Sequence, residues 1–205
     1  MGIGRFAGSI KSSVSRQLLI LKELALNPRS IGSICPSSAA LAKEMARAVP
    51  SRARPNDIFI EIGAGTGSVT AALLQRGIPL DKLIVIEKSP ALAECLKARF
   101  PHVNVACLGA ENMSGLSGSE SVRAIVSSLP FRSLPSETSL SIMGEIERVL
   151  APGGLLIQFT YAIAGKMRFI PSDFKKLRST IVLRNIPPAK VEVFMKPRMT
   201  SPGAA

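Results

Sequence analysis

The sequence predicts an α/β fold: a mostly parallel, doubly wound sheet with helices on both faces and an antiparallel C-terminal edge. Three observations predict it. Short apolar segments alternate with helical patterns between residues 57 and 161. A glycine-rich turn joins the first apolar segment to the helix after it. Two further extended segments follow late in the chain, with Asn185-Ile186-Pro187-Pro188 between them.

The elements follow in order. Asp57–Ile62 reads as a buried strand, and Thr66–Arg76 as a helix stopped by Gly77. Lys82–Glu87 is a second strand, and Ser89–Phe100 a second helix with Pro90 in its first turn, where a missing N–H costs nothing. Val103–Cys107 is a weak third strand and Val122–Ser127 a stronger fourth. Ser136–Leu150 is a helix closed by Ala151-Pro152-Gly153-Gly154, and Leu155–Tyr161 a fifth strand. Thr180–Arg184 and Val191–Met195 are the closing extended pair.

Upstream of the sheet, Ser37 and Ser38 precede a helical stretch, Ala39–Val49, and capping accounts for one of them. Farther upstream, Phe6–Ala25 is amphipathic. Phe6, Ile10, Val14, Leu18, Leu21, Leu24 and Ala25 share one face, while Arg5, Ser9, Ser12, Ser13, Arg16 and Glu23 share the other. Lys11 and Lys22 flank the apolar stripe, and Leu19 interrupts the polar side. The pattern suits a helix lying in a membrane interface, and equally one packed on the sheet. The expected organisation is therefore a basic N-terminal segment over 1–54, the α/β domain over 55–198, and a tail over 199–205.

Composition narrows the chemistry. The chain has 205 residues, no Trp, one His and one Tyr. A histidine-rich metal site is excluded, and no metal is expected. Cys35, Cys95 and Cys107 are odd in number and form no C-x-x-C, which fits reduced thiols. The lone His102 reads as a surface residue. The net charge of +12 is segregated: residues 1–54 and 165–205 each carry nine bases against two acids, whereas 55–164 carry eight against ten. Basic ends around a slightly acidic middle suggest an anionic surface as partner, membrane or nucleic acid. No apolar run is long enough to span a bilayer, so a soluble or peripheral protein is expected.

The sharpest motif is Glu61-Ile62-Gly63-Ala64-Gly65-Thr66-Gly67, which ends the first strand and opens the first helix of the alternating series. Glycines there allow a tight turn and close approach of backbone to a ligand. Glu87 ends the next strand, where a carboxylate can accept both hydroxyls of a ribose. The G-x-G-x-G spacing differs from the G-x-G-x-x-G of dinucleotide enzymes. It resembles motif I of the Rossmann-like class I methyltransferases, and Glu87 resembles their acidic second-strand residue. The resemblance implies that Glu61, Gly63, Gly65, Thr66, Gly67 and Glu87 hold S-adenosylmethionine. Gly109-Ala110-Glu111 stands where many relatives have Gly-Asp-Ala, so Glu111 is either a substitute adenine contact or a solvated loop acid.

After the fourth strand comes Ser127-Ser128-Leu129-Pro130-Phe131. It looks like the N-[LIP]-P-[YF] motif of amino-directed nucleic-acid methyltransferases, with Ser128 in place of the Asn. A hydroxyl matches a planar exocyclic amine less well than an amide carbonyl does. The chain as a whole resembles the bacterial phospholipid N-methyltransferases of the soluble, Sinorhizobium-like type. That resemblance rests on Asn27-Pro28-Arg29-Ser30-Ile31-Gly32-Ser33-Ile34-Cys35-Pro36-Ser37-Ser38, the Glu61–Gly67 loop, Ser127–Phe131, Pro152-Gly153-Gly154 through Gln158-Phe159-Thr160-Tyr161, and Asn185–Ala189.

The resemblance implies stepwise methylation of phosphatidylethanolamine to phosphatidylcholine, with other amino lipids such as ornithine lipids as alternative substrates. It also implies a peripheral position at the cytoplasmic face of the membrane, held through the N-terminal helix by an anionic surface, without an obligate protein partner. Ser128, Phe131 and Tyr161 are the candidate residues on the acceptor side, the two rings facing the growing cation. The competing expectations are a ribosomal RNA adenine dimethyltransferase, favoured by the basic ends and opposed by Ser128, and a non-catalytic lipid-binding module, opposed by the intact glycine loop.

Overall fold

The computed structural model describes residues 38–116, 121–165 and 167–198. The expected Phe6–Ala25 helix, Cys35, Ser37 and the tail 199–205 lie outside the described residues. The strands are β1 (Asp57–Ile62), β2 (Leu83–Ile86), β3 (Asn104–Ala106), β4 (Ser121–Ser127), β5 (Leu150–Thr160), β6 (Lys175–Val182) and β7 (Ala189–Met195). The helices are α1 (Ala39–Ala48), α2 (Ser68–Gln75), α3 (Pro90–Arg99) and α4 (Ser136–Val149). The sheet runs β3-β2-β1-β4-β5-β7-β6. β7 is antiparallel to both of its neighbours, and the other pairings are parallel. The α/β, doubly wound sheet with an antiparallel edge is the observed fold.

Burial on both faces explains why Ile58, Phe59 and Ile60 of β1 are apolar in succession and do not alternate with polar residues. Ile58, Ile60 and Ile62 point to the face covered by α4, where they meet Ile142, Met143 and Ile146. Phe59 points to the opposite face, into a core shared with Val69 and Leu73 of α2 and Leu41 and Met45 of α1. Helix α1 therefore belongs to the sheet's own core, and the segment expected to end at residue 54 is divided. Its first turn is capped as the sequence suggested, the Leu41 N–H donating to Ser38 Oγ at 3.2 Å.

Three boundaries differ from expectation, each for a local reason. Helix α2 begins at Ser68 and not Thr66, because Gly63, Gly65 and Gly67 have φ of 72°, 57° and 81° and the loop is left-handed up to its last residue. β5 begins directly at Leu150: Val122 pairs with Leu150 and Ala124 with Leu155, so Ala151–Gly154 bulge out within the strand. That bulge is tied to the chain beyond β7 by the Gly153 N–H on Lys196 O and the Lys196 N–H on Gly154 O, both 3.0 Å. β6 starts at Lys175, five residues before the expected Thr180. It is an edge strand, exposed along most of its length, so its sequence lacks the apolar signature of a covered strand.

The β6–β7 connection is pinned to α1. Asn185 is buried; its Oδ1 accepts from the Ser38 N–H at 3.1 Å and its Nδ2 donates to Pro187 O at 2.7 Å. Asn185→Ala leaves a donor and an acceptor without partners. It should lower the unfolding free energy by about 1–3 kcal/mol in urea, with an unchanged denaturant slope.

Candidate functional site

The site lies where β2, β1 and β4 end side by side. Past the last residue of β1, the Gly63 N–H donates to Ile86 O at 2.9 Å, and the Ser128 N–H donates to Ile62 O at 2.9 Å. Gly63, Glu87 and Ser128 thus share one row at the carboxyl edge of the sheet, the usual place for ligands in open α/β folds. A Cβ on Gly63 would lie 2.6 Å from Leu129 Cδ2, so the glycine is what lets the β1 loop and the β4 turn approach each other. Gly67 is confined from the other side, where a Cβ would meet Phe100 and Leu96 at 2.7 and 2.8 Å.

Glu87 organises the loop. Its Oε2 accepts from the Gly65 N–H at 2.8 Å and its Oε1 from the Ser89 N–H at 2.9 Å. A carboxylate offers about four lone-pair sites, so two such bonds leave capacity for a ligand's hydroxyls. Glu61 is fully buried on the α1–α2 face; Thr70 Oγ1 donates to its Oε2 at 2.7 Å, and Oε1 has no partner among the described residues. Desolvation raises the Glu61 carboxyl from its ordinary 4.5 to about 7, against the lowering effect of the Thr70 hydrogen bonds and with a further push from the Glu87 charge. A buried acceptor oxygen of this kind fits a cationic or donor group on a ligand.

The remaining expected residues are distributed around this row. Thr66 Oγ1 lies 3.5 Å from Ser68 Oγ, while its carbonyl accepts from Arg99 at 2.7 Å. Glu111 follows β3 and pairs with Lys88 at 3.2 Å, next to Glu87 in sequence. Ser128 Oγ is buried with no partner among the described residues. Tyr161, just past β5, packs its ring edge-on to Phe159, centroids 5.4 Å apart, on the α1–α2 side of the sheet. Phe131 is different. Its ring is buried in the core on the α4 side, with Met143 and Ile62. The two rings therefore do not form one cage, because the chain after Pro130 turns under the sheet edge to start toward α4.

Four residues were not legible as site residues. Thr70 fixes the buried Glu61. Ser127 Oγ accepts from the Leu129 N–H at 3.3 Å. Gln158 Nε2 donates at 2.8 Å to both Leu129 O and Phe159 O, which holds the β4 turn in place from inside β5. Asn185 anchors the loop nearest to α1. A glutamine inside the apolar run Leu155–Phe159 was a usable signal, since a buried amide must find partners; Asn185 stood out only as part of the Asn185–Ala189 motif, and Thr70 carried no signal.

Comparison with known proteins agrees with this geometry. A family model described as a methyltransferase domain matches residues 59–154. Ornithine lipid N-methyltransferase of Singulisphaera acidiphila is 30% identical over 178 residues, covering 83% of this chain and 91% of that protein. Ribosomal RNA small subunit methyltransferase A of Mycoplasma mycoides is 41% identical, over only 27% of this chain and 20% of that protein. Among solved structures, the N-methyltransferase NodS of Bradyrhizobium japonicum, in complex with S-adenosyl-L-homocysteine, aligns with a TM-score of 0.62 at 17% identity, over 77% of this chain and 86% of that one. The 1,6-didemethyltoxoflavin-N1-methyltransferase of Burkholderia thailandensis aligns with a TM-score of 0.61 at 14% identity, over 91% and 89%. These two likenesses concern the fold.

The buried acid makes a testable demand on stability. In the unfolded chain Glu61 ionises near 4.5, whereas in the fold it keeps its proton to about 7. The folded state therefore binds the extra proton between these values, and stability falls as pH rises through that window, by about 3 kcal/mol in all. Glu61→Gln removes the titrating group. Urea unfolding should show the variant gaining on the wild type from pH 5 to about pH 7 and levelling off above that; parallel curves would contradict the burial of an ionisable Glu61.

Proposed function

Because the chain belongs to the class I S-adenosylmethionine-dependent methyltransferases, we propose that it methylates the amine headgroup of a membrane amino lipid, with an ornithine-type lipid as the first substrate to test and phosphatidylethanolamine as the second. The observation that carries this reading is the similarity to an ornithine lipid N-methyltransferase, which extends over most of both chains and well beyond the shared methyltransferase domain. It reverses the order in which the sequence motifs alone rank the two lipids. The similarity to a ribosomal RNA enzyme is confined to a short segment, and Ser128 stands where that chemistry uses an amide.

The residues at the strand ends fit the donor. Glu87 retains acceptor capacity for ribose hydroxyls, and Glu61 presents a buried oxygen with no partner among the described residues, beside a loop whose glycines leave room for backbone contact. When bound, S-adenosylmethionine supplies a methyl group on a sulfonium, which an amine lone pair can take in line. The chain's own task is then to bind, align and desolvate both partners. Glu87 is assigned to the ribose, and Glu61 to the positive end of the donor, whose binding favours the ionised carboxylate.

On the acceptor side, Ser128 Oγ is assigned as the acceptor of an amine N–H, at the end of β4. The Tyr161 ring lies at the end of the adjacent β5, where its face can meet the cation that forms on methylation. The Glu111–Lys88 pair is assigned to the rim beside the adenine. Among the described residues no helix is long and apolar enough to cross a membrane. The inner membrane surface is assigned as the place of action, with the amphipathic Phe6–Ala25 sequence as one anchor.

Two measurements test the proposal. Purified protein with labelled S-adenosylmethionine should methylate ornithine lipid, or phosphatidylethanolamine, presented in mixed micelles, and should leave ribosomal RNA unlabelled; label in RNA alone would overturn the lipid assignment. Glu87→Ala should weaken S-adenosylmethionine binding by about 1.5–3 kcal/mol for each charge-assisted bond lost, read by calorimetry.

A further inference from the structure

Seven large apolar side chains are exposed among the described residues, and four of them, Leu177, Ile181, Leu183 and Ile186, lie on β6 and the connection to β7. Leu183 and Ile186 are the most exposed of all, at 75% and 87%. Scattered exposed apolar residues are ordinary, but a concentration on one hairpin points to a surface that is covered in use. The loop that carries these two side chains is not loose. Asn185 between them is 2% exposed and holds both the Ser38 N–H and the Pro187 carbonyl. The fold thus presents two aliphatic side chains to solvent from an anchored turn.

Register sets where that turn points. β7 runs antiparallel to β5, with Lys190 opposite Thr160 and Ala189 opposite Val182 of β6. The Leu183–Pro188 turn therefore stands at the carboxyl edge of the parallel strands, the same edge that carries Gly63, Glu87 and Ser128. Its charge is one-sided. From Lys175 to Lys190 the chain has five basic residues and no acid. Arg184, exposed between Leu183 and Ile186, pairs with no acid among the described residues, whereas Arg178 pairs with Glu44 and Lys176 with Glu192.

We propose that the Leu183–Ile186 turn is a lipid-docking tip: Leu183 and Ile186 enter the headgroup layer of an anionic bilayer while Arg184 meets its phosphates. Apolar tips flanked by bases suit this surface, because insertion removes aliphatic area from water and the bases are drawn to the negative potential. A second copy of the chain would set Lys175 and Arg184, which pair with no acid among the described residues, against the same two bases, and like charges repel. The inference rests on the amino-lipid reading and deepens it, since docking at this edge brings headgroups to the strand ends where the amine must arrive.

The chain contains no tryptophan, so Ile186→Trp introduces a single reporter. With full-length protein, the indole emission should shift to the blue on adding phosphatidylcholine–phosphatidylglycerol vesicles, and become shielded from a water-soluble quencher, with little change on phosphatidylcholine alone. Leu183→Ser combined with Ile186→Ser should lower partitioning onto the anionic vesicles by roughly tenfold while leaving calorimetric S-adenosylmethionine affinity at the wild-type value. Vesicle binding without a spectral change, or partitioning unchanged in the double variant, would overturn the tip. So would a blue shift that grows with protein concentration in the absence of lipid, which would mark a second copy as the occupant. Methyl transfer by the wild type to lipid in micelles is read separately: failure there removes the substrate assignment, and the indole still reports whether the turn meets a bilayer.

Discussion

Three backbone hydrogen bonds just beyond the strand ends align everything else. Gly63 N to Ile86 O, Ser128 N to Ile62 O and Glu87 N to Ala106 O continue the parallel ladder by one residue on each strand. They carry the sheet register, set by the buried isoleucines and valines of β1, β2 and β4, into the three loops that form the site. A register slip of one residue would turn each apolar set to the wrong face, so the packing of the core fixes the loops without contacts of their own. The close approach of Gly63 to Leu129 depends on this alignment, and glycine suits it twice over, by its φ of 72° and by leaving the Leu129 side chain its place.

The same rigidity explains an acid in a place where it costs stability. Glu61 points from the strand into the core beneath α2, with one oxygen on Thr70 and one without a partner among the described residues. A Gln would serve the fold better near neutral pH, because it has no charge to desolvate. Its proposed role at the positive end of the donor accounts for the carboxylate, since a cationic ligand would recover what burial takes away.

Much of this was legible in the residues. The β-α alternation, the Glu61–Gly67 loop and Glu87 reveal both the sheet and its ligand edge, because parallel strands buried on two faces read as continuous apolar runs. What stayed hidden depends on contacts distant in sequence. Phe131 looks like an acceptor-side aromatic in its Leu-Pro-Phe context, yet the turn carries it into the α4-side core. Gln158 reads as an oddity in an apolar strand, and its bonds to Leu129 O and Phe159 O require the β4 turn to lie beside β5. The true start of β6 was invisible because an edge strand facing water needs no apolar alternation, and the Pro152–Gly154 break conceals a bulge within a strand that continues past it.

The antiparallel edge is where geometry and charge meet. β6 runs parallel to β5 and ends at the carboxyl edge, and β7, inserted between them in reverse, starts from that edge. A parallel β7 would have needed a connection to the opposite end of the sheet; the antiparallel one keeps the turn at the carboxyl edge, where Asn185 and α1 hold it. The bases of the chain follow the same division: the central segment that builds the ligand row is slightly acidic, and the C-terminal segment that builds the returning hairpin is strongly basic. A positively charged donor and the proposed anionic surface would place opposite electrostatic demands on one small domain. Separating them between the strand-end loops and the hairpin lets each demand be met by its own set of side chains.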